Sequence, residues 1–477
     1  MTTTVKVRFA PSPTGHLHVG NARVALANFL FARRHGGTFL LRYDDTDSER
    51  SRPELVEAIA HDLRWLGIEW DESFHQSERL ERYAAAAERL KQAGRLYPCF
   101  ESEEELRAKR ERQIKRHQAP VYDRAMLALT MEQRAAAEAG GKRPYWRFLL
   151  SPGTVEWDDM ALGHRQVKLS SLSDPVLIRG DGTPLYTFTS VVDDIETGIT
   201  HIIRGEDHIT NTGVQLDLFA ALSEAPRGGG PGGASSAAAV ARAALADGAR
   251  AYPPYAPPIG FAHLPLLTDT DGGKLSKRID SLSLRSLRHD GVEPGAIAAY
   301  LARLGTSDDP EPSPMAELAA QFDLSHVSHS AARFDATQLL AMNRRVLQRL
   351  PFAEVADRLP SGATEAFWLA VRGNLDLLVE ARGWWDVVAG TIVPPVIEGE
   401  RDFLLSAVET LPAEPWDGSV WASWIDALKQ ATGRKGRALF LPLRLALTGE
   451  EHGPELRDLL PLMGRPRAAN RLQIAAI

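Results

Sequence analysis

Two short segments hold the residue types that could bind and activate a nucleotide. The first, residues 8–21 (RFAPSPTGHLHVGN), joins a short strand to a helix through a loop rich in Pro and Gly, with His16 and His18 just before the helix. The N-terminus of a helix binds phosphate through its free backbone N–H groups and its dipole. The second, residues 272–278 (GGKLSKR), is a cationic loop that could close over the same phosphates. Together they predict an enzyme that acts at the α-phosphate of ATP.

These segments resemble the two signature motifs of the class I aminoacyl-tRNA synthetases. Residues 18–21 (HVGN) match the first motif, usually His-Ile-Gly-His, and residues 274–278 (KLSKR) match the second, Lys-Met-Ser-Lys-Arg. Either motif alone would be weak evidence, but both in this order make the chain similar to a bacterial-type glutamyl-tRNA synthetase. The resemblance implies ATP-dependent ligation of L-glutamate to tRNA through a glutamyl-adenylate, followed by transfer to the ribose of the terminal adenosine.

Amino-acid activation needs neither a nucleophile nor a base from the protein, only two anions held in line and stabilised charge on the phosphate oxygens. We expect His18 and Asn21 to donate to the triphosphate, Gly20 to let adenine approach the backbone, and Lys277 to contact the α- and β-phosphates. Taken alone, His18 would be assigned to helix capping or to the core. The expected ATP-binding residues are Thr14, His18, Gly20, Asn21, Lys274, Ser276 and Lys277, of which His18, Lys274 and Lys277 are the expected catalytic residues.

A pocket for glutamate must offer cations or strong donors to two carboxylates, and a carboxylate to one ammonium group. Arg8 and Arg204 each end a predicted strand, where doubly wound folds bind ligands, and each could hold a carboxylate bidentately. Asp44 stands where the resembled family usually has Glu, and Ser190 stands where we expect Asn. The resemblance implies glutamate binding by Arg8, Ala10, Ser12, Asp44, Tyr186, Ser190 and Arg204.

Charged residues considered singly more often form surface ion pairs, which contribute little to stability. For Arg8 and Arg204 this interpretation is the less favoured one. Asp45 and Asp47 belong to the same segment as Asp44. For these two, a role in a turn or a cap is as well supported as a direct function.

Composition excludes several classes of protein. A chain of 477 residues with 44% hydrophobic and 25% charged residues is typical of a soluble protein with three or more domains. The sequence contains no apolar run of about 18 residues and no apolar signal-peptide core at its start. A single cysteine fits a reducing cytoplasm, where we expect the protein. The net charge of −7 means that RNA binding would need local basic patches.

Hydrophobic periodicity predicts an α/β fold. A strand over 5–9, a helix over 20–34 and a strand over 38–43 imply parallel strands with a right-handed crossover. Further helices are predicted at 53–66 and 77–93, and strands at 187–192 and 201–204. We therefore expect a doubly wound parallel-sheet nucleotide-binding domain, split by an α+β insertion and followed by an all-α C-terminal half.

Four regions are predicted along the chain. Residues 1–95 and 186–258 form the Rossmann-type catalytic domain, in which 224–258 is a Gly-, Ala- and Pro-rich surface insertion with no assigned role. Residues 96–185 form the insertion that the resembled family uses to bind the acceptor end of tRNA. It opens with a helix over 101–117, whose cations are solvated or meet phosphates. Residues 259–340 carry the signature loop and a stem-contact region, and 341–477 form a helical anticodon-binding region.

The expected cofactors are ATP and Mg²⁺, with Mg²⁺ held mainly by the phosphates. Some members of the resembled family hold structural zinc in the insertion through a Cys-x-Cys pair. Here Cys99 is followed two positions later by Glu101, so we expect no structural zinc. Cys99 should instead be a small buried hydrophobic residue.

Four other functions remain open. A shorter paralogue glutamylates a modified tRNA base, but it lacks a C-terminal half of about 140 residues. A glutaminyl enzyme would need a neutral amide pocket, whereas two arginines favour a dicarboxylic substrate. A non-catalytic regulatory paralogue is disfavoured because the expected catalytic residues His18, Lys274 and Lys277 are all present. A small-molecule adenylyltransferase would have no use for the helical half. Whether tRNA-Glu alone or also tRNA-Gln is charged stays open, and a monomer is the family default.

Overall fold

The structure is a computed structural model. It describes residues 4–47, 49–223, 259–273, 275, 282–308 and 311–477. The chain forms two compact units: the first contains Met1–Ser286 and Leu301–Phe334, and the second contains Leu287–Tyr300 and Asp335–Ile477. The predicted insertion at 224–258 lies outside the described residues.

The first unit begins with the predicted strand–helix–strand crossover. Its elements are β1 (Lys6–Phe9), α1 (Val19–Arg34), β2 (Thr38–Tyr43), α2 (Pro53–Trp65) and β3 (Glu72–His75). The three strands are parallel in the order β1-β2-β3. Every residue of β1 is paired with β2. The loop after β1 starts at the carboxyl edge of the sheet and leads into the N-terminus of α1.

The remainder of the first unit alternates between strands and helices. Its elements are α3 (Leu80–Gln92), β4 (Leu96–Cys99), α4 (Glu103–Lys115), α5 (Met131–Ala139), β5 (Tyr145–Phe148), β6 (Thr154–Asp159), β7 (Gly163–Lys168), β8 (Val176–Ile178), α6 (Tyr186–Glu196), β9 (His201–Gly205), α7 (Ile209–Ser223), β10 (Gly260–Leu264) and β11 (Leu267–Thr268). β4, β5 and β8 form a separate antiparallel sheet in the region predicted as the insertion.

The β1-β2-β3 sheet and the four-stranded sheet meet at the strands that carry the predicted arginines. The second sheet has the order β7-β6-β10-β9. At the start of β9, the Thr200 N–H donates to the Lys6 carbonyl at 2.9 Å, and the Lys6 N–H donates to Thr200 Oγ1 at 2.8 Å. β9 therefore runs beside β1, and Arg8 and Arg204 lie near the same edge. The hairpin of β6 and β7 falls inside the range predicted as insertion although β6 pairs with β10.

The predicted strand at 187–192 is wrong, because these residues lie in helix α6. The β-branched and aromatic residues of this stretch favoured a strand. Phe188, Val191 and Val192 are nevertheless buried at a spacing of three and four residues, and they pack into one core with Phe219 of α7. Burial of one helical face thus outweighs local propensity.

Helices dominate after β11, which confirms the predicted helical half. The elements are α8 (Leu284–His289), α9 (Pro294–Arg303), α10 (Met315–Gln321), β12 (Ala332–Arg333), α11 (Ala336–Leu347), α12 (Phe352–Val355), α13 (Glu365–Val371), α14 (Ala381–Val388), α15 (Arg401–Glu409), α16 (Val420–Thr432), α17 (Arg437–Thr448), α18 (Leu456–Met463) and α19 (Arg465–Ala475). Within the described part of the chain, no helix combines the length and apolarity that a membrane span requires.

Candidate active site

His18 forms the N-cap of α1 and can serve phosphate at the same time. Its Nδ1 accepts the Gly20 N–H at 3.0 Å, and the His18 N–H donates to Asn21 Oδ1 at 3.4 Å. Burial lowers the pKa of His18, so the ring is neutral near pH 7. Because Nδ1 accepts, the ring hydrogen lies on Nε2, which is a donor. Capping and phosphate donation thus use different nitrogens, and the two interpretations of His18 are compatible.

The loop before α1 leaves its small polar residues accessible. Ser12 and Thr14 are exposed, and the Thr14 N–H donates to the Ser12 carbonyl at 2.8 Å. Ala10 is half-buried at the end of β1. A Cβ at Gly20 would lie 2.8 Å from Cε1 of His18, so the capping ring itself requires glycine there. The approach of adenine to Gly20 stays a prediction.

The chain beyond the second signature segment returns to the first. Ser283 forms an antiparallel bridge with His18, and the Leu284 N–H donates to the Leu17 carbonyl at 2.8 Å. Gly272, the first residue of the segment, has a φ of +79°, in the left-handed region that glycine adopts without strain. The predicted ATP-binding residues Lys274, Ser276 and Lys277 lie outside the described residues, and their roles stay predictions.

Arg8 and Arg42 share the buried carboxylate of Asp194. Arg8 Nε lies 3.1 Å from Asp194 Oδ1, and Arg42 Nη1 lies 2.9 Å from the same oxygen. Arg42 also holds Asp44 bidentately, with Nε–Oδ1 at 2.6 Å and Nη2–Oδ2 at 3.2 Å. Burial raises the pKa of Asp44 to about 6, against the opposing effect of Arg42. A third buried carboxylate, that of Asp193, lies 3.9 Å from Arg42 Nε and pairs with Arg79 Nε at 2.7 Å. Each of these three guanidinium groups therefore has a carboxylate partner.

Arg204 is buried among neutral groups. Its Nη1 donates to Tyr186 Oη at 3.3 Å, its Nη2 to Thr212 Oγ1 at 2.5 Å, and its Nε to His263 Nε2 at 3.4 Å. Among the residues that the structure describes, none places a carboxylate within 4.0 Å of this guanidinium, which is 5% exposed. Burial lowers the pKa of Arg204, and the charge of Arg8 acts in the same direction. Its hydrogen-bond partners among the described residues are thus neutral, while the more distant charge of Asp194 favours the ionised form.

Ser190 lies in a buried chain of hydrogen bonds on α6 and α7. Its Oγ donates to the Tyr186 carbonyl at 2.6 Å and accepts from Gln215 Nε2 at 2.8 Å. The other amide atom of Gln215, Oε1, is buried and has no hydrogen-bond partner among the residues that the structure describes. Gln215 thus brings an amide close to the position where we expected Asn instead of Ser190.

Comparisons with known proteins decide the family. Residues 4–227 match the family model "tRNA synthetases class I (E and Q), catalytic domain", and residues 397–476 match "Anticodon binding domain". The chain is 64% identical to glutamate–tRNA ligase 2 of Granulibacter bethesdensis, covering 99% of both chains. It is 60% identical to glutamate–tRNA ligase 2 of Gluconacetobacter diazotrophicus, covering 99% of this chain and 100% of that one. The chain belongs to the glutamate–tRNA ligase family.

The fold agrees with that of a solved member of the glutamate–tRNA ligase family. A crystal structure of a glutamate tRNA ligase from Elizabethkingia meningosepticum, in complex with its amino acid, is 26% identical. It superposes with a TM-score of 0.82 and covers 99% of each chain. The predicted class I architecture, an α/β catalytic half followed by a helical half, is thereby confirmed.

Sequence analysis missed several residues of this ligase-type site. Arg42 lies in β2, two residues before Asp44, and its place near the end of a parallel strand is a signal of the kind that marks Arg8. Asp194 lies eight residues after Tyr186, about two turns along the same helix, a signal that becomes visible only once 186–196 is read as helical. His263 has no local signal, because its link to Arg204 comes from strand pairing across 59 residues.

Two other acidic residues of the segment have local structural roles. Asp45 accepts from His75 Nδ1 at 2.8 Å and from the Ser77 N–H at 2.9 Å. Asp47 accepts from Arg50 Nε at 2.9 Å within a turn. These are the turn and capping roles that the sequence left as an alternative.

A cation-lined cavity of about 630 Å³ lies beside α4, in the region predicted to bind the acceptor end of tRNA. Arg107, Arg110, Arg116 and Arg147 contribute to its wall. Nearby Cys99 is buried, as predicted, and burial raises the pKa of its thiol to about 11. Its Sγ lies 3.6 Å from Tyr122 Oη.

Proposed function

We propose that the chain joins L-glutamate to tRNA with the energy of ATP, as the ligases to which it is similar are named for doing. The observation that supports this most directly is the buried Arg204, which has no carboxylate partner among the described residues, beside the ion pairs of Arg8 and Arg42 with Asp194 and of Arg42 with Asp44. L-Glutamate carries two carboxylates and one ammonium group, a net charge of −1. Glutamine is neutral overall and would leave the buried guanidinium uncompensated, which is costly in a site of low dielectric.

We propose that the α-ammonium group lies near Asp44 and that Arg8 and Arg204 serve the two carboxylates. Ala10, Ser12, Tyr186 and Ser190 complete the pocket. Arg8 keeps Nη1 free of hydrogen bonds among the described residues, since its contacts to Asp194 use Nε and Nη2. A guanidinium fixed on one side by a buried carboxylate can offer its other side to substrate without rearranging, and this preorganisation strengthens binding.

Activation then needs charge stabilisation at the triphosphate. An α-carboxylate oxygen of glutamate forms a bond to the α-phosphorus of ATP, and the bond to pyrophosphate breaks. His18 Nε2–H, Asn21 and the N-terminus of α1 donate to phosphate oxygens, Thr14 adds a hydroxyl, and Lys274 and Lys277 neutralise growing charge. Mg²⁺ would be bound mainly by the phosphates of ATP. In the second step a ribose hydroxyl of the terminal adenosine attacks the glutamyl carbonyl, and AMP leaves.

The tRNA partner is supported by two separate regions. The arginines around the cavity beside α4 offer phosphate contacts despite the overall charge of −7. Residues 397–476 match an anticodon-binding domain. We propose a monomeric cytoplasmic enzyme that charges tRNA-Glu and that activates glutamate only when tRNA is bound. Charging of tRNA-Gln is a separate question for the same assay.

The deciding experiment is aminoacylation of purified tRNA-Glu and tRNA-Gln transcripts with labelled glutamate and, separately, labelled glutamine. We expect glutamate to be transferred to tRNA-Glu and glutamine to neither transcript. Lys277→Ala should lower kcat by about 10²–10³, the usual cost of losing one preorganised donor at a transition state. Pyrophosphate exchange with and without tRNA-Glu tests the order of binding. Glutamine charging, or an active Lys277→Ala variant, would contradict the respective assignment.

A further inference from the structure

Three buried residues on neighbouring strands form a line that ends at Arg204. Asp159 ends β6, His263 lies in β10, and Arg204 lies in β9, where it is paired in register with His263. Their exposed fractions are 4%, 0% and 5%. Asp159 Oδ2 lies 2.5 Å from His263 Nδ1, and His263 Nε2 lies 3.4 Å from Arg204 Nε. Sheet geometry therefore places a carboxylate one imidazole ring away from the guanidinium.

Hydrogen-bond partners determine the charge of Asp159 and which ring nitrogen of His263 carries the hydrogen. Asp159 Oδ1 accepts the backbone N–H groups of Ala161, Leu162 and His263 at 3.0–3.1 Å. Although burial opposes ionisation, the bonds from His263 and the backbone lower the pKa of Asp159, so it is charged. Burial lowers the pKa of His263, and the neutral ring carries its hydrogen on Nδ1, facing Asp159. Nε2 is then an acceptor that faces Arg204.

Thr212 connects the same ring to a second nitrogen of Arg204. Its Oγ1 accepts from Arg204 Nη2 at 2.5 Å and lies 2.8 Å from His263 Nε2, to which it can donate its own hydrogen. With the bond to Tyr186, three of the five guanidinium N–H groups have a partner, one on each nitrogen. One N–H remains on each terminal nitrogen, and two is the number that a bidentate carboxylate takes.

We propose that His263, oriented by Asp159 and assisted by Thr212, is a positioning residue that presents Arg204 to a carboxylate of the amino-acid substrate. Neutral acceptors hold the guanidinium in one orientation, and the charge of Asp159 stays one ring away. Arg204 therefore keeps a full charge for substrate, unlike Arg8, which pairs directly with Asp194. This inference rests on the proposed glutamate-charging function.

The test compares paired variants in aminoacylation at saturating tRNA-Glu. His263→Asn keeps a donor toward Asp159 but loses the acceptor at Nε2, whereas His263→Gln places an acceptor near that position. We expect His263→Asn to raise KM for glutamate about 10- to 100-fold, the usual effect of losing a hydrogen bond to a charged group. His263→Gln should lose less, and KM for ATP should change little in both.

Two substitutions at Thr212 form a second pair of test variants, and they should disturb folding less. Thr212→Val removes the hydroxyl with little change in volume, and Thr212→Ser keeps it. KM for glutamate should rise more in Thr212→Val than in Thr212→Ser. Equal effects within the pair, or equal changes in KM for glutamate and ATP, would overturn the positioning role. If the wild-type enzyme itself does not transfer glutamate, the proposed function falls together with this inference.

Discussion

Arg8 and Arg204 lie on neighbouring strands and are both buried, yet only Arg8 has a carboxylate partner among the described residues, Asp194 at 3.1 Å. The two arginines therefore differ in what they contribute to the fold. Arg8 is part of an ion-pair group that satisfies itself. Arg204 donates only to the neutral groups of Tyr186, Thr212 and His263 among the described residues.

This difference predicts that the same substitution destabilises the protein at Arg8 but not at Arg204. Arg8→Met should lower the free energy of unfolding by about 1.5–3 kcal/mol, because Asp194 loses hydrogen bonds from a charged group. Arg204→Met should leave stability unchanged or raise it, because a buried cation without a carboxylate partner is removed. Both variants should lose glutamate charging. Urea unfolding of the two proteins gives the comparison, and a less stable Arg204→Met than Arg8→Met would contradict it.

Protonation of Asp44 should set the acid limb of the pH profile of kcat/KM for glutamate. Its pKa is raised to about 6 by burial, so the carboxylate is ionised above this pH and neutral below it. A neutral carboxyl group cannot balance the substrate ammonium, and kcat/KM for glutamate should fall by about tenfold for each pH unit below 6. Asp44→Asn should be weakly active at every pH and should lack this limb. An unaltered limb in Asp44→Asn would assign the titration to another group.

Ser190 and Gln215 allow a test of the buried amide. Ser190→Ala removes the acceptor of Gln215 Nε2 and should cost about 1–3 kcal/mol of stability. The Oε1 atom of Gln215 already has no partner in the described part of the chain. Replacing both partners by apolar residues, in Ser190→Ala with Gln215→Leu, should cost less than the sum of the single changes. Unfolding free energies of the two single variants and the double variant complete the cycle. Additive losses would show that the contact contributes nothing of its own.

Local signals predicted the helix and the strand on either side of Gly36. α1 (Val19–Arg34) ends just before this glycine, which has a φ of +59°, and β2 (Thr38–Tyr43) begins just after it. Both were predicted to within one residue of these bounds, because glycine at a helix end marks an element boundary in the sequence itself. Helix α6 was mistaken for a strand because its helical state is decided by packing against α7, which local propensity does not contain.

The same limit applies to the site. Their strand ends and the family resemblance predict substrate binding by Arg8 and Arg204, and these roles stay predictions. The partners of the two arginines could not be predicted, since Asp194 is 186 residues from Arg8 and His263 is 59 residues from Arg204. Sequence thus suggests candidate substrate-binding groups, while the fold decides which of them already have ion-pair partners.

His18 combines a structural and a chemical role that substitution can separate. His18→Ala loses the bond from the Gly20 N–H and should cost about 1 kcal/mol of stability, as the loss of an N-cap usually does. His18→Asn keeps an efficient N-cap but removes the ring whose Nε2 is proposed to donate to phosphate. We therefore expect both variants to lose turnover in pyrophosphate exchange with tRNA, and only His18→Ala to unfold at a lower temperature. Full turnover in His18→Asn would restrict His18 to capping, because the cap alone would then support adenylate formation.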